Sequence, residues 1–137
     1  MSSLIRIFVL FFLIFAQPGF SKPQQLSLEA DFLKWAEFGI QGIKHMDTRS
    51  DMFRELGLKL FEMGRKNEAL IALDSAVQTL KDKRDSIGTT WPLLQKIVKG
   101  YAKVGAFDKA ENLASKILEP GNQAKSQITI VRALLKK

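Results

Sequence analysis

Apolar residues recur at intervals of three and four through most of the chain, with polar residues filling the gaps. That period lines one face of a 3.6-residue helix, leaving the opposite face for water. Leu28, Phe32, Trp35, Ala36, Phe38, Ile40 and Ile43 predict a helix over Leu28–His45, capped by Ser27 after a break at Pro23. Asp47-Thr-Arg-Ser50 reads as the next turn, with Ser50 or Thr48 capping a second helix through Phe53, Leu56, Leu60, Phe61 and Met63 to Gly64. A third is predicted over Asn67–Lys81 through Ala69, Leu70, Leu73, Ala76, Val77 and Leu80. Lys81–Thr90 forms the longest interior connection. Thr90 then caps a helix that carries Pro92 in its first turn, where a missing N–H costs nothing, and that runs through Leu94, Ile97, Val98, Tyr101 and Val104 to Gly105. Phe107–Leu118, halted by Pro120-Gly121, and Gln123–Lys136 complete the set. No alternating run of strand length interrupts the pattern, so the expected fold class is all-α.

The first 21 residues break the period and read differently. Arg6 precedes the continuous apolar run Ile7–Phe15, and Gln17, Pro18 and Gly19 end it before a small-residue site. From Leu4 to Ala16 the stretch falls short of the roughly 20 residues a membrane-spanning helix needs and matches the apolar region of a secretory signal peptide. Cleavage after Ser21 is expected first and after Ala16 second, leaving a domain over 22–137 that is exported, periplasmic or secreted. An uncleaved short anchor is the rival reading.

Internal repeats set the expected architecture. Aligning Gly64 with Gly105, 41 residues apart, brings Phe53 onto Leu94, Leu56 onto Ile97, Leu60 onto Tyr101, Ala69 onto Ala110, Leu73 onto Ala114 and Ala76 onto Ile117. A second offset, of 33, carries Ile97 to Ile130, Val98 to Val131 and Tyr101 to Leu134. A helix-turn-helix unit that recurs in this way, with half units at both ends, predicts a stacked solenoid. The string Phe53-x-x-Leu56-Gly57-x-x-Leu60-x-x-x-Gly64-x-x-x-x-Ala69-x-x-x-Leu73-x-x-Ala76 resembles a tetratricopeptide repeat. A second copy from Leu94 to Ile117 keeps Tyr101, Gly105, Phe107 and Ala110 in the family's places. The resemblance covers Asp51–Asn122 best and implies an α-α superhelix of about two and a half repeats. Val98 stands where the family has a small residue, Lys81 where it has a closing proline, and the spacing of 41 is irregular. Gly39, Gly42, Gly57 and Gly100, set within helical patterns, are expected to mark close helix packing.

Composition narrows the chemistry. The chain of 137 residues suits one small domain, and 46% hydrophobic residues suffice for a core. With no cysteine and a single histidine there is no disulfide framework, no thiolate zinc site and no two-histidine metal site. No phosphate loop or nucleotide fingerprint occurs, so no cofactor is expected. His45, read near a helix C-terminus beside Lys44, complements the helix dipole and lacks an oriented partner for catalysis. Glu62, Glu68 and Asp74 read as surface residues rather than a paired acid/base site, and Trp35 and Trp91 as packing residues. The expected protein is not an enzyme.

Charge is the strongest functional signal. Residues 22–85 balance 11 basic against 11 acidic side chains, whereas residues 86–137 carry 9 basic and 3 acidic. Lys96, Lys99 and Lys103 share one helix face, as do Lys125, Arg132 and Lys136, and the offset of 33 maps Lys99 onto Arg132 and Lys103 onto Lys136. In the resembled family these positions line a concave groove. The equivalent positions of the first repeat, Arg54, Leu58, Phe61 and Glu62, add apolar contact. The expected site is therefore Arg54, Leu58, Phe61, Lys99, Lys103, Arg132 and Lys136, and the expected partner a protein or peptide of acidic character. Leu58 occupies a place where the family's carboxylate clamp needs Asn, so that activity is not carried over. Two alternatives stay open: contact with anionic envelope polymers or lipid headgroups through the same cations, and, least favoured, an unrecognised hydrolase. A solvated face that serves only solubility is the plain alternative to any groove. Exposed ends of so short a stack also admit self-association, and export argues against nucleic acid.

Overall fold

A computed structural model of the chain describes residues 22–81 and 91–136, and every regular element among them is an α-helix. These are α1 (Lys22–Gln41), α2 (Met46–Glu62), α3 (Lys66–Lys81), α4 (Trp91–Val104), α5 (Phe107–Ala114) and α6 (Pro120–Leu134). The all-α class read from the period is the class observed. The expected export segment, 1–21, and the Thr90 cap fall outside the described residues. None of the described helices is long and apolar enough to cross a membrane.

The chain divides into two units, Met1–Gly39 and Ile40–Lys137. In the first, α1 starts at Lys22, so Pro23 sits in an opening turn rather than breaking the helix. The helix ends at Gln41, short of the expected His45, where Gly42 begins a turn. Phe32, Leu33 and Ala36 are half-buried, but Trp35 and Phe38 are 81% and 79% exposed, contrary to the packing role expected of Trp35. A Cβ on Gly39 would meet nothing within 4 Å, so that glycine marks no close packing.

In the second unit two helical hairpins share one turn. Gly64 (φ +78°) and Gly105 (φ +82°) occupy the left-handed region that L side chains enter only at a cost. Arg65 N–H donates to Leu60 O and Ala106 N–H to Tyr101 O, each at 2.9 Å, closing the two turns alike. One step later Ala69 N–H meets Arg65 O, and Ala110 N–H meets Ala106 O, both at 3.0 Å. The 41-residue offset is thus a repeat of backbone hydrogen bonds as well as of residue types. α2 packs on α3 and α4 on α5, while α2, α4 and α6 contact one another in succession.

The core explains the small residues. A Cβ on Gly57 would lie 2.9 Å from Ala69 O and 3.0 Å from Leu73 Cγ, and one on Gly100 would lie 3.0 Å from Leu73 Cδ2. Leu73 of α3, fully buried, therefore fills the room left by glycines on two other helices. It belongs to one buried cluster with Phe53, Ala76, Ile97, Val98, Tyr101, Ala110 and Ile117.

In the second unit three further boundaries differ from expectation. Ser50 is not a cap: α2 begins at Met46, and the buried Ser50 hydroxyl donates to Ala76 O at 2.8 Å, tying α2 to α3. Pro120 opens α6 rather than only stopping α5, because the Glu119 carboxylate caps the helix by accepting from Gly121 N–H (3.1 Å) and Asn122 N–H (2.7 Å). α5 ends at Ala114, before the expected Leu118, and Ile117 is buried from the connection that follows.

Candidate functional site

A cleft of about 690 Å³ opens along α4 and α6. α4 contributes Lys99, Ala102, Lys103 and Val104, α6 contributes Thr129, Arg132 and Ala133, Lys136 stands in the turn just past its C-terminal end, and Phe61 of α2 and Phe107 of α5 supply aromatic surface. Lys66 of α3 brings a fifth cation. None of the described residues lining it is acidic. Five of the seven residues expected at the site, Phe61, Lys99, Lys103, Arg132 and Lys136, therefore meet here.

The cations reach it for a local reason. On both α4 and α6 the pairs at i and i+4 project from the same side, and the buried stripe of each helix lies elsewhere on its circumference. Lys99, Lys103, Arg132 and Lys136 are all exposed. Lys103 Nζ lies 3.2 Å from Glu62 Oε1, a pair in exposed surroundings. Glu62 is also held by Lys59 at 2.9 Å, and its carboxyl is lowered from the usual value by the hydrogen bond from Lys59 first and that from Lys103 second. Lys66, Lys99, Arg132 and Lys136 make no ion pair among the described residues. Their fields add along the cleft, over distances at which salt screens exposed charge only partly.

Arg54 and Leu58 belong elsewhere. Arg54 is 9% exposed and folds back on its own helix, with Nε 2.8 Å from Asp51 Oδ1 and a second contact to Glu55. Its Nε and one Nη are thereby engaged by those carboxylates. Leu58 is half-buried, 3.9 Å from where a Cβ on Gly100 would stand, and so fills space between α2 and α4. Lys66 and Phe107 were not expected at the site, yet each stands two residues beyond a turn glycine, at matching places of the repeat.

Other chemistry-bearing side chains have structural partners. Tyr101 hydroxyl donates to Asp74 Oδ1 at 2.6 Å, and Lys109 Nζ approaches both oxygens of Asp74 at 2.6 and 2.8 Å. Burial first, and then the bond to Asp74, raise the Tyr101 phenol well above its ordinary range. It stays protonated and pins α3, α4 and α5 together. Arg65 grips Glu68 through two bonds of 2.7 and 2.6 Å, drawing the Glu68 carboxyl down. His45 stands at the N-terminal boundary of α2 rather than at a helix C-terminus, and its side chain makes no capping bond. Among the described residues no three His, Cys, Asp or Glu side chains form a metal-binding group.

Comparison with protein-family models, curated proteins and solved structures finds no match for the chain.

Proposed function

We propose that the protein is a non-catalytic binding module that holds an acidic, partly apolar peptide segment of a partner in the cleft between α4 and α6. The observation that carries this reading is the meeting of five cations with Phe61 and Phe107 in one open cleft without a lining carboxylate among the described residues. Cations steer an acidic segment in and set its register, while the aromatic and alanine surface rewards side chains that leave water. An open cleft with fixed helical walls suits an extended chain better than an enclosed small molecule. The shared hairpin turn and the succession of α2, α4 and α6 support the tetratricopeptide-like superhelix, and the apolar N-terminal run supports export of the domain, where the module serves as an adaptor or assembly factor.

The test compares wild type with the Lys99→Glu/Lys103→Glu/Arg132→Glu/Lys136→Glu variant against three probes. These are a fluorescent peptide alternating Glu and Leu, an oligo-glutamate peptide, and vesicles containing phosphatidylglycerol. Retained helicity with loss of the Glu–Leu peptide supports the groove. Equal binding of all three probes, released together by salt, would move the reading to a general anion-binding surface. Equal peptide capture by the folded variant and wild type would dismiss the cleft.

A further inference from the structure

The cleft has a carboxylate of the chain's own at its edge. The offsets of 41 and 33 place Glu62 of α2, Lys103 of α4 and Lys136 in one row, each at the same step of its repeat. At the first interval of that row the charges are opposite, and Lys103 Nζ donates to Glu62 Oε1 at 3.2 Å. At the second interval both members are cations, and both line the cleft. An acidic ligand that follows the row therefore reaches, in Lys103, a lysine that already has a partner. Glu62 is not itself a lining residue, although Phe61 just before it is.

Glu62 also has a second hold. Its other oxygen, Oε2, accepts from Lys59 Nζ at 2.9 Å, three residues back on α2. The two lysines thus use different oxygens, and the contact that stays within α2 is the shorter. Releasing Lys103 breaks one of these two bonds and leaves Glu62 paired with a neighbour that the helix keeps within reach. Lys59, Glu62 and Lys103 are all exposed, so water stabilises each charge during such an exchange and burial locks neither pair. Lys59 stands outside the cleft.

We infer that Glu62 is an internal competitor of the cleft: it occupies Lys103 until a ligand carboxylate replaces it, and Lys59 retains it after the exchange. The inference rests on the reading of the cleft as the seat of an acidic segment, and it adds a selectivity that the cations alone lack. Lys66, Lys99, Arg132 and Lys136 attract any anion along the cleft. Lys103 passes to the ligand only when the ligand sets a carboxylate against it. A segment without one at that place leaves the Glu62 pair intact. Exposed pairs are individually weak, so the exchange changes affinity by a small factor and stays reversible.

Two double-mutant cycles on the full chain test this, read by the anisotropy of the fluorescent Glu–Leu peptide at one ionic strength. Glu62→Gln should bind the peptide about twofold to fivefold more tightly than wild type, the range that one exposed ion pair sets. Beside Lys103→Met that gain should vanish, because no lysine is left to release. Lys59→Met, which leaves Glu62 to Lys103 alone, should weaken binding, and the loss should disappear in the Glu62→Gln background. All three positions are exposed, and helicity matching wild type shows that each variant folds. A gain from Glu62→Gln that persists beside Lys103→Met would make Glu62 a diffuse negative field and overturn the proposal. Unchanged affinity in Glu62→Gln, with the peptide lost from the Lys99→Glu/Lys103→Glu/Arg132→Glu/Lys136→Glu variant, would overturn it while leaving the cleft in place. Peptide capture that this last variant shares with wild type would remove the cleft, and the competitor with it.

Discussion

The two hairpins of the second unit share a turn and differ in charge: the first balances its basic and acidic side chains, and the second has an excess of basic ones. Each turns on a glycine at φ near +80° and closes through the same backbone hydrogen bonds. Yet Glu62 and Glu68 around the first turn correspond, 41 residues on, to Lys103 and Lys109 around the second. The first hairpin neutralises its carboxylates within itself, through Lys59 and Arg65, and lends Glu62 to Lys103. The second, with α6 beside it, accumulates cations, of which Lys99, Arg132 and Lys136 make no ion pair among the described residues. What makes the turn is a conformational requirement on one residue. What gives the cleft its character is the sign of side chains on a face the fold leaves free, so one architecture holds a charge-balanced half and a cationic half.

The comparison can be broken at three strengths. The largest effect falls where the hairpins meet. Leu73→Ala removes the side chain that lies against both Gly57 and Gly100, and is expected to cost about 2–5 kcal/mol in denaturant unfolding, as buried Leu truncations do. A loss of amide protection confined to α2 and α3 would show that the halves are less joined than their packing implies.

Next come the turns. Gly64→Ala and Gly105→Ala each force an L side chain into the left-handed region, at about 1–2 kcal/mol apiece. Nearly equal losses are expected because neither cost depends on the neighbouring charges. A gap between them of more than about 1 kcal/mol would mean that the turns are alike only in outline.

The smallest effect separates the halves by pH. Glu62 and Glu68 both have carboxyls held below the usual value of 4.5, so their contribution is complete above that value and is lost as pH falls through the lowered one. The equivalent positions in the second hairpin are lysines and contribute nothing to this acid limb. Thermal melts at descending pH should therefore show a shallower acid loss in Glu62→Gln/Glu68→Gln than in wild type. An unchanged limb would place the acid sensitivity in other carboxylates.

Which parts of this were legible in the sequence follows from how local their causes are. Gly64 and Gly105 announce their turns because glycine alone takes that conformation freely. Ser50 misled because a serine before an apolar run is a fair cap, whereas the structure uses its hydroxyl across to Ala76 O, a partner 26 residues away. Pro120 looked like a stop because nothing in its neighbourhood reveals that Glu119 folds over the next two amides. At the cleft, the i,i+4 cations of α4 and α6 were readable from helical spacing. Arg54 was not, since one residue type serves either to reach outward or to fold back, and Asp51 and Glu55 decide which. Trp35 and Phe38 kept the period of a buried stripe, but periodicity tells which residues share a face and not whether anything covers it.

Leu73 has a further consequence. In a stack of helical pairs each pair touches only its neighbour, and such arrays can unravel from an end one unit at a time. A side chain of α3 seated against a glycine of α2 and a glycine of α4 leaves no place for that seam to open. Separating the hairpins exposes the same leucine that each depends on. The five-helix unit should accordingly melt in one cooperative step, with its slowest-exchanging amides on both sides of the hairpin boundary rather than within either pair.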